Sequence, residues 1–180
     1  MNTDISGYYK ILTSIECSLK SEKSSFIIGA CEYHYAKISQ YVAQLLSPPT
    51  ANGLTRNINE HHHRHLQNGI NADAASGQLL YASFYYVTGQ YKLALELVDY
   101  VLSTCKPDIV ELGKTNFDEA DINNYIKRVH NLVHFHTKIN KVTIGSVTYM
   151  RQSPLVPLEL QFLVKNRIMT IHPIVFVKVS

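Results

Sequence analysis

Residues Ala74–Pro107 read AASGQLLYASFYYVTGQYKLALELVDYVLSTCKP, and this stretch decides the fold. It divides at Thr88-Gly89-Gln90 into two segments of different character. Before the turn, Leu79, Leu80, Tyr81, Ala82, Phe84, Tyr85, Tyr86 and Val87 leave almost no polar face, the mark of a helix buried on all sides. After it, Tyr91, Ala94, Leu95, Val98, Val101 and Leu102 recur at three- and four-residue steps, opposite Lys92, Glu96, Asp99 and Ser103. That spacing predicts an amphipathic helix with one stripe to bury. Gly89 stands at a helix end, where a positive φ is needed and glycine supplies it at little cost. Pro107 closes the unit, because proline cannot continue a helix. The prediction is a helical hairpin.

The order of small, aromatic and turn residues is also that of a tetratricopeptide repeat. Ala82, Tyr85, Gly89, Tyr91 and Ala94 fall at its positions, and the proline comes one residue late. Only one copy is recognisable. Since such a unit cannot bury its face alone, its neighbours are expected to be helices of more divergent sequence.

Upstream, Tyr8, Ile11, Leu12, Ile15 and Leu19 form a helical stripe, with Ser6 as its cap. A longer helix is predicted from about Ser25 to Leu46, on the stripe Ile27, Ile28, Cys31, Tyr35, Ile38, Val42, Leu45 and Leu46, stopped by Pro48-Pro49. Residues 47–60 carry Pro, Gly and Asn and read as an exposed loop, followed by His61-His62-His63-Arg64-His65. Downstream, Asn116 with Glu119 three residues on is a capping signature. It opens a predicted helix with Ile122, Tyr125, Ile126, Val129, Leu132, Val133 and His136 on one side. From Lys141 the pattern turns to roughly alternating β-branched and aromatic residues: Val142, Ile144, Val147, Tyr149. Ser153-Pro154 starts a helical turn, and Leu160–Val164 with Ile168–Ile171 suggests a small hairpin. The last residues, IHPIVFVKVS, would leave an uncovered edge strand, which points to a continuation or a partner. The expected fold is therefore mainly α: tetratricopeptide-like antiparallel helical hairpins over residues 1–140, with a small β element over 141–180 packed on them.

The totals narrow the function classes. A chain of 180 residues is long enough for one domain with a real core, and 46% hydrophobic with 17% charged residues is ordinary for a globular protein. Charge is uneven: residues 1–121 hold nine basic and thirteen acidic side chains, whereas 122–180 hold eight basic and only Glu159 acidic. Such asymmetry marks a surface for an acidic partner. Cys17, Cys31 and Cys105 are too few and too scattered for a disulfide framework or a four-thiolate zinc site. MNTDISGYYK lacks an apolar signal core and no run approaches a membrane span, so a soluble cytoplasmic chain is expected, with the nucleus as the second choice and no membrane partner.

Several phrases together resemble the helical region that follows the nucleotidyltransferase-like domain in proteins of the Mab-twenty-one (male abnormal) family, relatives of cyclic GMP–AMP synthase expanded in molluscs. They are YHYAKISQYVAQLL, HRHLQNGINADAASGQLLYASFYYVTGQY, VDYVLSTCKPDIVELG, INNYIKRVHN, VTYMRQSPLVPLELQ and IHPIV, spread from about Tyr8 to Val175. None is a catalytic motif. What the resemblance implies is a tetratricopeptide-like scaffold without the catalytic domain, and the chain departs from the family pattern after Val175.

The candidate constellations point the same way. A nucleotidyltransferase needs a Gly-Ser turn followed by carboxylates that hold two Mg²⁺ ions. After Gly145-Ser146 the sole acid is Glu159, so that chemistry is not expected. His61 and His65 lie four apart, as zincin metal ligands do, and His130 and His134 repeat the spacing. Two such pairs brought together would complete a site; read otherwise, the histidines belong to a solvated polar segment. Cys31 and Cys105 sit in or at the end of apolar stripes, where a buried inert thiol is the common case. Lys127, Arg128, Lys138 and Lys141, with Arg151, Lys165 and Arg167, form a basic set for phosphates of a nucleic acid or nucleotide. Three readings stay open: a non-catalytic module binding a protein or neighbouring domain, a basic nucleic-acid or nucleotide-sensing accessory over residues 122–180, and a metal-stabilised domain using the histidines. No cofactor is implied. For the first, Tyr81 and Tyr86 are the predicted contact residues, with Tyr85 and Tyr91 assigned to the core.

Overall fold

The computed structural model describes residues 5–49, 56–104, 109–111, 116, 118–132, 135–161 and 168–171. Seven α-helices lie among them: α1 (Ile5–Ser21), α2 (Ser25–Leu45), α3 (Arg56–Gly69), α4 (Ser76–Val87), α5 (Tyr91–Thr104), α6 (Glu119–Val129) and α7 (Phe135–Val142). Four short strands accompany them: β1 (Val110–Glu111), β2 (Thr143–Ile144), β3 (Val147–Tyr149) and β4 (Met169–Ile171).

The predicted hairpin is α4 and α5. Gly89 has φ 77°, the left-handed value its position requires. Thr88 ends α4, its hydroxyl adding a second donor, at 2.8 Å, to the Phe84 carbonyl that already accepts from the Thr88 N–H. In α4, Leu80, Tyr81, Ala82 and Phe84 are buried, as an all-apolar helix demands. The stripe predicted for α5 is only half covered: Ala94 and Val101 are buried, while Tyr91, Leu95 and Leu102 are exposed.

Helices α1 and α2 are joined through Glu22-Lys23-Ser24, so they run antiparallel. The Glu22 carboxylate accepts from the backbone N–H groups of Lys23 and Ser24 (2.8 and 2.7 Å), and Ser24 caps α2. The third helix corrects the sequence reading. Residues 56–60, predicted as loop, already belong to α3; the turn residues end at Gly53, and a polar run with no apolar period carries no signal to declare a helix.

The junction from α3 to α4 is held by charge. A 3₁₀ turn (Ile70–Ala72) leads to buried Asp73, whose carboxylate accepts from the N–H groups of Ala75 and Ser76 and from the Ser76 hydroxyl. Lys37 of α2 reaches it at 3.0 Å and also donates to the Ser76 hydroxyl at 2.8 Å. Burial works against the Asp73 anion, but Lys37 and the donors from Ser76 and Ala75 outweigh it and hold its pKa low. Gly77 lets α4 approach this turn: a Cβ there would lie 2.3 Å from the Gly69 carbonyl oxygen.

Beyond α5 the order departs from the prediction. The predicted long helix is two. The capping box is Asp118 with Asp121 rather than Asn116 with Glu119, α6 ends in a turn at His130-Asn131, and α7 carries on to Val142. β2 pairs in parallel with β1, Val110 opposite Thr143. Most of the Leu160–Val164 segment predicted to pair with Ile168–Ile171 lies outside the described residues. β4 pairs antiparallel with β3, Tyr149 opposite Met169, while Leu158–Leu160 forms a 3₁₀ turn. The other edge of β3 meets α2, where the Gln44 carboxamide donates to the Thr148 carbonyl (3.0 Å) and accepts from the Met150 N–H (2.9 Å). Leu66, Leu80, Phe84, Val147, Tyr149 and Leu155 form one buried cluster, so segment 147–156 shares the core of α3 and α4.

Candidate functional site

The small residues that let α4 and α5 pack also leave space between them. Ala82 of α4 and Ala94 of α5 face a groove of about 560 Å³. Val147 and Ile171 of the β3–β4 sheet close one side, and Pro157 with Leu160 closes an end. At the rim stand Tyr86, Tyr91 and Leu95, 37%, 57% and 62% exposed. The Tyr86 and Tyr91 rings meet edge to face at 5.2 Å, and the Tyr86 hydroxyl donates 2.8 Å to Glu159. That bond raises the tyrosine pKa, while a backbone N–H first and then the Tyr86 hydroxyl lower that of Glu159.

Polar atoms inside the groove are already committed. The Ser83 hydroxyl donates to the Leu79 carbonyl at 3.0 Å and lies 2.5 Å from the Tyr149 hydroxyl. Burial raises the Tyr149 pKa, keeping the phenol neutral. The lining offers apolar surface to bury and few polar groups to direct a reaction.

The predicted contact residues divide. Tyr86 is at the rim, but Tyr81 is 6% exposed and turned the other way, into α3. Its hydroxyl lies 2.6 Å from His63 Nδ1 and accepts from Tyr85 at 3.2 Å, and its ring stacks on Tyr85 at 4.8 Å. Burial first, then Tyr85, pushes the Tyr81 pKa up, and burial pulls that of His63 down, so this pair is neutral and structural. Tyr91, assigned to the core, is instead exposed at the first position of α5.

The histidines lie on separate helices. His61 is exposed on α3, while His65, four residues on, is buried and sits 3.1 Å from the Tyr9 hydroxyl. His130, exposed at the end of α6, is 3.1 Å from the Asn131 side chain, and His134 lies outside the described residues. Among the described residues no three His, Cys, Asp or Glu side chains gather as a metal site. Lys127 is exposed and Arg128 half-buried on α6; Lys138 is half-buried and Lys141 exposed on α7. Arg151 is exposed, and Lys165 and Arg167 lie outside the described residues.

Compared with family models, with curated proteins and with solved structures, the chain finds no match. Among the described residues no helix is long and apolar enough to cross a membrane. Sequence reasoning named Tyr86 but missed Leu95 and Tyr91 as rim residues. The available signal was the pairing of Ala82 with Ala94, which marks where two helices leave a gap.

Proposed function

We propose that this chain is a non-catalytic interaction module whose α4–α5 groove takes the apolar face of an amphipathic helix from a partner protein. The observation that carries the reading is the rim. Leu95, Tyr91 and Tyr86 stand exposed beside an apolar groove, on a helix whose predicted buried stripe the chain itself covers only in part. A partner helix docks in such a groove by inserting apolar anchors at three- and four-residue spacing, with tyrosines at the edge keeping their hydroxyls in water. The resemblance to the Mab-twenty-one helical region supports the same role, as an accessory scaffold of a larger assembly. The basic set on α6 and α7 supports a nucleic-acid surface less well, because Arg128 and Lys138 are half-buried.

The test is a photo-crosslinking residue placed at Leu95 in cells, with Lys20 on α1 as the control position. A discrete adduct specific to position 95, whose crosslinked peptide is an amphipathic helix, is expected. A synthetic copy of that helix should bind the purified chain and lose about tenfold or more in affinity against Leu95→Glu. Adducts equal to those of the control, adducts only with a second copy of this chain, or binding unchanged by Leu95→Glu overturns the proposal.

A further inference from the structure

A second cavity, of about 470 Å³, lies between α1, α2 and α3. Its chemistry is the reverse of the groove's. Tyr9 and Glu16 come from α1, Tyr35 from α2, and Arg64, His65 and Asn68 from α3. Glu16 and Arg64 carry opposite charge, and both act on the Tyr35 hydroxyl. That hydroxyl donates 2.8 Å to Glu16, and its pKa is raised by burial and by Glu16 and lowered by Arg64. Among the described residues the two charges do not close on each other as an ion pair.

His65 forms the inner wall. It is 2% exposed, its Nε2 is tied to the Tyr9 hydroxyl, and its Nδ1 is buried without a partner. Burial first, with Arg64, His61 and His62 adding to it, lowers its pKa to about 4, so the ring is neutral near pH 7. A buried polar atom left unpaired is costly. With the Tyr9 hydroxyl donating to Nε2, Nδ1 carries the ring proton.

We infer that this cavity is a binding site for a free α-amino acid or another small zwitterion of that class. A carboxylate seats against Arg64, with Asn68 as a further donor, and an ammonium group seats against Glu16. The volume is within the usual range for small-molecule sites, about 300–1,000 Å³. The lining is amphoteric, so a ligand bearing both charges leaves neither wall unpaired, whereas a simple anion or cation satisfies one only.

The experiment is thermal unfolding of the purified 180-residue chain against a panel of L-amino acids, each compared with its amide and its N-acetyl derivative. A saturable rise in midpoint is expected for one or more free amino acids, about 5–10 °C at a hundredfold excess over the dissociation constant. The amide and the N-acetyl form, each lacking one charge, should give little. By calorimetric titration Arg64→Gln and Glu16→Gln should each weaken binding about tenfold or more. Both residues are exposed, so the far-ultraviolet spectrum should be unchanged. No rise with any member of the panel, or an undiminished rise in Arg64→Gln, overturns the inference. Leu95→Glu, which disables the α4–α5 groove, should leave amino-acid binding intact, so the two proposals fail separately.

Discussion

Replacing Gly77 by alanine gives the sharpest check on the helix junction. In an ordinary helix interior, glycine costs about 0.5–1 kcal/mol relative to alanine, so the substitution would normally stabilise. At Gly77 the added methyl would lie 2.3 Å from the Gly69 carbonyl oxygen, 2.7 Å from Ile70 Cα and 2.9 Å from Gly69 carbonyl carbon. All three are backbone atoms, so no rotamer change relieves the clash. Relief requires α4 to move away from the turn that presents Asp73 to Lys37. Overpacking of this kind costs about 1–3 kcal/mol, and with the junction's ion pair disturbed the upper half of that range is expected. For a chain of this size that is a fall in midpoint of about 4–10 °C. Gly7→Ala in α1 is the control, since nothing lies within 4 Å of the added Cβ and the change should stabilise. Urea and thermal unfolding followed by circular dichroism measure both. If Gly77→Ala stabilises the chain as Gly7→Ala does, the close approach of α3 and α4 is wrong.

The remaining predictions concern charge and buried hydroxyls. His65 has a folded pKa of about 4 against an ordinary 6.5, so in that window the unfolded chain binds a proton that the folded chain does not. Stability is then full above about pH 6.5 and falls on acidification by about 2–3 kcal/mol towards pH 4; urea midpoints across this range should show a slope that His65→Gln reduces, and an equal slope in both proteins refutes it. Asp73→Ala should cost about 3–5 kcal/mol in urea unfolding, because it strands the Lys37 ammonium and two backbone donors at the start of α4, and a loss below 1 kcal/mol would discredit the network. Ser83→Ala and Tyr149→Phe each leave the partner hydroxyl buried, so the double variant should be less destabilised than the sum of the singles, with a coupling of about 1 kcal/mol. Gly89→Ala should lower stability by about 1–2 kcal/mol despite open space around it, since φ 77° is strained for any residue with a Cβ; a neutral result would argue against this turn.

What could be read from the residues followed from local rules. The α4–α5 hairpin was legible because a glycine with a forced φ separates two helical patterns, and α2 because Pro48-Pro49 ends an apolar stripe. The start of α3 was not, since a run of Asn, Glu and His has no apolar period, and histidine composition does not reveal that His62 and His65 are buried while His61 is exposed. The partners of short strands were equally hidden: β2 finds β1 across more than thirty residues, and β4 pairs with β3. Such choices are made by the core, not by the strands themselves. The rim of the groove was half legible. Helical spacing put Tyr91 and Leu95 on one stripe with Ala94, but spacing cannot tell which part of a stripe the rest of the chain covers.

Gln44 changes how the small sheet meets other molecules. A carboxamide carries an acceptor beside its donors, as a peptide group does, and here it occupies the Thr148 carbonyl and the Met150 N–H that an incoming strand would use. With β4 on its other side, β3 offers no free ladder at these positions to a second chain. A helix side chain thus does the work that edge lysines or prolines do elsewhere, guarding an apolar strand against polymerisation. Gln44→Leu would keep the volume but leave the Thr148 carbonyl and the Met150 N–H without these partners, and should be seen as a faster growth of light scattering in concentrated samples.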